Sequence, residues 1–236
     1  MVAQGRTDET CLYGKAAALR RVPLFAGLDD EAIAGVAVVS HVRVHARGIW
    51  RVEAREARER LFVVARGGAR LHRLTWSGAE ATLALKHDGG VLDLHECDRA
   101  GNPKNDVEIL ADGTVIYGIP YAYLVDIGFA QPRFLLRMTE ALAAQLTEYQ
   151  DIIVDLMTRR VEVRVAHGLA RLAGPRDTVE LTRCQLATVV AASREEVGRA
   201  LKKLRAAGLI AYRDNERAIR LLDKGALAAW EENALS

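Results

Sequence analysis

The sequence predicts an α+β chain of 236 residues in three parts. These are an antiparallel β-sandwich or barrel, one long helix with a partner-facing seam, and a C-terminal winged helix. Three observations predict them. From His41 to Pro120 apolar residues alternate with a period of about two between glycine turns. After Pro132 they recur at heptad spacing with no Gly or Pro inside. Beyond Arg160 short helical patterns give way to two apolar alternations around a polar turn.

Residues 1–15 read as a loose tail, and the first compact region is placed after residue 18. A helical patch runs from Leu19 to about Val39, carried by Leu24, Phe25, Leu28, Ile33 and Val36, with Asp29 or Asp30 as the cap of its second helix. Strands follow. Val42 and Val44 alternate with His41 and Arg43, and Leu61 to Val64 is a short buried strand. Gly67-Gly68, Ser77-Gly78 and Asp88-Gly89-Gly90 are turns, and the polar run from Asp98 to Asp106 is a loop. The expected division is therefore a tail over 1–18, the barrel over 19–130, the helix over 131–159 and the winged helix over 160–236. In the helix, Leu135, Leu142, Tyr149 and Leu156 stand seven apart, with Met138, Leu146 and Ile153 interleaved. A helix this long outruns a small barrel, so a dimer seam of Leu135, Leu142, Leu146, Tyr149, Ile153 and Leu156 is expected.

The most informative stretch is TRCQLATVVAASREEVGRALKKLRAAGLI, from Thr182 to Ile210. Leu186, Val189 and Val190 share one helix face, Ala191-Ala192 gives a small-residue turn, and Ser193 with Glu196 forms a capping box. The next helix buries Val197, Leu201 and Leu204, presents Arg194, Glu195, Arg199, Lys202 and Lys203 opposite, and ends at Gly208. Ile210, Tyr212, Ile219 and Leu221 are expected in a hairpin around Arg213 to Glu216. Helix, tight turn and a second helix with a basic exposed face make a helix-turn-helix whose partner is double-stranded DNA. Arg194 and Arg199 suit bidentate bonds to guanine, Glu195 accepts from cytosine, and Lys202 and Lys203 suit phosphate. Thr182 and Ser193 are included among the expected DNA contacts.

Charge supports that placement. The net charge of +2 conceals an uneven split: residues 160–236 hold fourteen basic and ten acidic side chains, a net of +4, so the rest carries −2. No apolar run approaches the roughly 18–20 residues of a membrane helix, and Met1 to Thr10 has no signal core. Cys11, Cys97 and Cys184 are scattered, with no CxxC spacing, so a cytoplasmic chain with reduced thiols is expected. Cys184 is expected to pack. No nucleophile–base or paired-carboxylate arrangement stands out, so an enzyme is not expected.

These residues resemble the CRP/FNR family of bacterial transcription regulators over about Leu19 to Leu222. RVPLFAGLDDEAI is similar to the family's opening helices, and ERLFVVARGGARLHRLTWSGAEATLALKHDGG to the strands of its cyclic-nucleotide-binding-like domain. The resemblance implies a double-stranded β-helix or jelly-roll sensor barrel. It also implies base-reading roles for Arg194, Glu195 and Arg199 on a half-site of the G-T-G-A type, and a hinge near Thr158–Arg160. A homodimer on a pseudo-palindromic operator is then expected, acting as an activator with RNA polymerase as downstream partner.

The effector stays unassigned. Nucleotide-binding members carry Gly-Glu and Arg-Ser pairs, where this chain reads Asp93 beside Leu92 or Leu94, and Asn105-Asp106; the adenine-contacting pair on the long helix reads Tyr149-Gln150. These three departures argue against cyclic AMP, although Lys104 offers a substitute phosphate partner. His95 and Cys97 lie in the stretch where a gas-sensing branch holds haem, so a haem-based sensor using His95 is one alternative. Cys97 as a thiol sensor beside Arg99, a regulator with no effector, and a cyclic-nucleotide-type module without DNA binding are others. Cys11 stands alone, which argues against an iron–sulfur cluster.

Overall fold

The computed structural model describes residues 9–74, 78, 80–92, 104–173, 176–213 and 217–231. The chain folds as two compact units, residues 1–74 with 83–144 and residues 75–82 with 145–236, so that one boundary falls within the long helix, between Ala144 and Gln145.

The expected tail is not loose throughout: α1 spans Glu9–Leu19, and Leu19 at its end is fully buried. A 3₁₀ turn, Pro23–Phe25, buries Leu24 and Phe25. Helix α2 (Asp30–Val39) starts at Asp29, whose carboxylate accepts the Ala32 N–H at 2.8 Å. The strands are β1 (His41–His45), β2 (Gly48–Trp50), β3 (Arg60–Arg66), β4 (Gly68–Leu74), β5 (Glu80–His87), β6 (Val91–Leu92), β7 (Asp106–Ile109) and β8 (Thr114–Pro120). Helix α3 (Ala54–Glu59) interrupts them where alternation alone predicts none, and α4 (Tyr121–Ala130) follows β8.

Two four-stranded sheets result, in the orders β1-β8-β3-β6 and β2-β7-β4-β5. Their ladders β1/β8, β3/β8, β3/β6, β2/β7 and β4/β7 are antiparallel. Gly67, at φ 99°, makes the turn from β3 to β4, a conformation that a Cβ would strain. Phe62, Val64 and Ile116 of the first sheet meet Ala69, Leu71, Val107 and Ile109 of the second in one core, closed by Leu92 and Ala57. Leu61, Val63, Tyr117 and Ile119 form a second core with α1, α2 and α4.

Two arginines of the sheets are paired with carboxylates. Arg70 and Glu108 stand opposite each other across β4 and β7, with Arg70 Nε donating to Glu108 Oε2 at 2.6 Å, and Arg70 is only 4% exposed. Arg43 grips both oxygens of Glu56, at 2.8 and 2.5 Å. His45 tilts against Trp50 with ring centroids 4.6 Å apart, and its Nε2 is buried without a hydrogen-bond partner. Burial, then the nearby Arg43 cation, lowers the His45 pKa below the usual imidazole value.

Helix α5 (Pro132–Thr158) runs for 27 residues. Phe134 is buried and Met138 packs beside it against the helical core, so Met138 belongs to that core and not to the seam. Leu135, Leu142, Leu146, Ile153 and Leu156 are 41–62% exposed in the single chain, and Tyr149 is half-buried. No helix among the described residues is long and apolar enough to cross a membrane.

The second unit carries α6 (Val161–Ala173), β9 (Thr178–Glu180), α7 (Arg183–Val190), α8 (Arg194–Ala206), β10 (Ile210–Ala211), β11 (Ala218–Leu221) and α9 (Lys224–Ala228). Strand β9 enlarges the expected hairpin to an antiparallel sheet of order β10-β11-β9. Tyr212 follows β10 instead of lying within it.

Candidate nucleic-acid interface

Two capping boxes build the interface. At the start of α7 the Thr182 hydroxyl accepts the Gln185 N–H at 3.1 Å, and Gln185 Oε1 accepts the Thr182 N–H at 2.9 Å. At the start of α8 the Ser193 hydroxyl accepts the Glu196 N–H at 3.2 Å, while Glu196 Oε2 accepts the Ser193 N–H at 2.8 Å. That backbone bond, then one from the Ser193 hydroxyl, holds the Glu196 carboxyl below the usual glutamate range, with Arg199 and Arg164 contributing. Both hydroxyls are therefore engaged in fixing helix starts.

Between the helices the chain reverses at Ala191, the one non-glycine residue with positive φ among the described residues, at 48°. Left-handed backbone costs an alanine about 1–2 kcal/mol. Arg164 of α6 offsets this by donating through Nη1 to the Val190 and Ala191 carbonyls, at 2.8 and 3.2 Å. A cation on the last carbonyls of α7 also meets the negative end of its dipole.

Helix α8 buries Val197, Ala200, Leu201 and Leu204. Opposite this stripe, Glu195, Arg199 and Lys202 succeed one another at three- and four-residue spacing, all exposed. Arg194, in the first turn, is exposed on the flank. Lys203 is turned to the other flank, where its ammonium pairs with Glu162 of α6. Its side chain is still 55% exposed. Cys184, expected to pack, is exposed in the first turn of α7.

The reading from sequence alone missed three arginines. Arg164 braces the turn as described. Arg205 and Arg183 approach the Tyr212 ring, at 4.6 and 5.8 Å from its centroid. Arg183 opens α7, Arg205 closes α8 and Tyr212 begins the wing, so one ring links all three elements. Their separation along the chain gives no local signal of this meeting.

Among the candidate effector residues, Tyr149 accepts a hydrogen bond from Gln145 one turn earlier at 2.9 Å, and Gln150 is exposed. Asn105 is buried and accepts from Arg73 Nε at 2.9 Å, and Asp106 opens β7 opposite His72. Lys104 is exposed. His95 and Cys97 lie outside the described residues.

Residues 163–230 match the family described as the Crp-like helix-turn-helix domain. The probable transcriptional regulator flp of Lacticaseibacillus casei is 28% identical over 195 residues, covering 78% of this chain and 84% of that protein. FixK2 from Bradyrhizobium japonicum shares the fold with a TM-score of 0.67 at 19% identity, over 81% of this chain and 96% of its own. A CRP-family transcriptional regulator from Thermus thermophilus is 26% identical with a TM-score of 0.60, over 80% and 97% of the two chains. Fold and interface together define a DNA-binding transcription regulator. Residues 163–230 thus carry a Crp-like helix-turn-helix domain, and the chain as a whole is similar to CRP/FNR-type transcription regulators.

Proposed function

We propose that the chain binds a pseudo-palindromic operator as a homodimer, one α8 in each of two major grooves about one helical turn, roughly 34 Å, apart. The observation that carries this reading is the face of α8: Glu195, Arg199 and Lys202 lie in a row opposite the buried stripe, on a helix held at its start by a closed capping box. Arg199 and Arg194 are suited to guanine, Glu195 to cytosine and Lys202 to phosphate. The half-exposed seam from Leu135 to Leu156 supports the dimer, because a single chain leaves that apolar stripe in water. The family resemblance supports an activator that meets RNA polymerase beside its operator in the cytoplasm.

A gel-shift series tests this with two probes, a palindrome of two G-T-G-A half-sites and the same duplex with one half-site scrambled. The reading expects one dimer bound to the palindrome and a large loss on the single half-site. Monomer binding of equal strength to both probes would contradict it.

A further inference from the structure

Helix α6 reaches three different elements through side chains within six positions. Glu162 pairs with Lys203 of α8, Arg164 holds the carbonyls between α7 and α8, and His167 turns to α5. The His167 contact is the most enclosed link to α5. Its Nδ1 lies 3.0 and 3.1 Å from the two carboxylate oxygens of Asp155, and its Nε2 lies 3.2 Å from the Trp230 carbonyl. The side chains of His167 and Asp155 are 19% and 14% exposed. Two peripheral ion pairs flank it, Arg171 with Glu148 at 3.8 Å and Arg159 with Glu231 at 3.4 Å.

We propose that His167 is a positioning residue for DNA recognition: by joining Asp155 of α5 and the Trp230 carbonyl to α6, it fixes the angle at which α6 carries the helix-turn-helix on the end of the long helix. Only Arg159 and Arg160 separate α5 from α6. Apolar packing is tolerant of small rotations, whereas a ring whose two nitrogens lie within hydrogen-bond distance of acceptors on two different segments, donating to one of them when neutral and to both when protonated, is held more narrowly. Two recognition helices must match adjacent major grooves together, so a loosened angle costs affinity even when each domain stays folded.

This inference rests on the DNA-binding reading, and its test separates the two. Spin labels are placed at Asp151→Cys on α5 and Ala207→Cys after α8, with Cys11, Cys97 and Cys184 replaced by serine and labelled chain diluted into unlabelled chain. The distance distribution is expected to be narrow in the parent protein and in Asp155→Asn, whose amide oxygen still accepts from the ring. It is expected to broaden in His167→Phe and in Asp155→Leu, the second variant attacking the joint from its other side should the first not fold. Unlabelled His167→Phe should bind the palindrome at least tenfold more weakly per folded molecule, and Asp155→Asn should retain most of the parent's affinity. An unchanged distribution in both joint-breaking variants overturns the proposal, as does a broadened one with undiminished affinity. A parent protein that binds no palindrome defeats the DNA-binding reading, and with it the recognition role assigned to His167, while the distance measurement still decides whether the joint exists.

Discussion

The sheets of the first unit and helix α8 of the second use charge in opposite ways. In the sheets, Arg70 is buried against Glu108 and Arg43 holds Glu56 with both arms. On α8, Arg194, Arg199 and Lys202 have no side-chain hydrogen bond or ion pair among the described residues. A buried charge must be paired, because the lost hydration is not otherwise recovered. An exposed charge left unpaired on a rigid helix is ready for a partner of opposite sign. The contrast teaches where each kind of substitution should register: stability in the first case, affinity in the second.

The largest expected effect is in the sheet. Arg70→Ala removes a buried charge partner of Glu108 and should cost about 3–5 kcal/mol in denaturant unfolding. Operator affinity per folded molecule should hold. Equal stability of variant and parent would break the contrast from that side. Arg199→Ala should do the reverse, costing about 1–3 kcal/mol of operator binding with no change in melting temperature.

A smaller effect belongs to the joint between the two uses. Ser193→Ala removes the cap of α8 and should cost about 1 kcal/mol of stability, with operator affinity following because the first turn carries Arg194 and Glu195. A stability loss within error of zero would mean that the box drawn by Ser193 and Glu196 does not hold the helix start.

The subtlest effect is a pH dependence confined to the first unit. Folding lowers the His45 pKa, through burial and then Arg43, below its ordinary imidazole value. Its neutral form thus contributes stability that is fully present above about pH 6.5, the ordinary value, and is lost as pH falls toward the folded one. His45→Gln should flatten thermal stability between about pH 7 and 5 relative to the parent. Parallel curves would show that folding leaves the His45 pKa unshifted.

How much of this was legible in the sequence follows the range of each interaction. The α8 cap, its apolar stripe and the α2 cap at Asp29 are written within three or four residues, and the structure has them where local pattern places them. Helix α5 begins and ends within a residue of its expected limits because its repeat is long and uninterrupted. Helix α3 was not legible, since AREARE carries a single buried residue, Ala57, and no stripe. Helix α1 was hidden by its polar start, although Leu19 anchors its end. At the interface, the face of α8 was readable but the fate of Lys203 was not, because Glu162 lies 41 residues away on another helix. The roles of Arg164, Tyr212 and His167 likewise depend on packing between helices distant in sequence.

The central claim is that the exposed face of α8 reads base sequence and does not merely attract phosphate. Fluorescence anisotropy at fixed salt, comparing the G-T-G-A palindrome with a scrambled duplex of equal length, tests it most directly. The expected result is a preference of about a thousandfold or more in the parent protein, reduced by Arg199→Ala through weaker operator binding with scrambled binding nearly unchanged. Equal affinity for both duplexes, or an equal loss on both in Arg199→Ala, would contradict it.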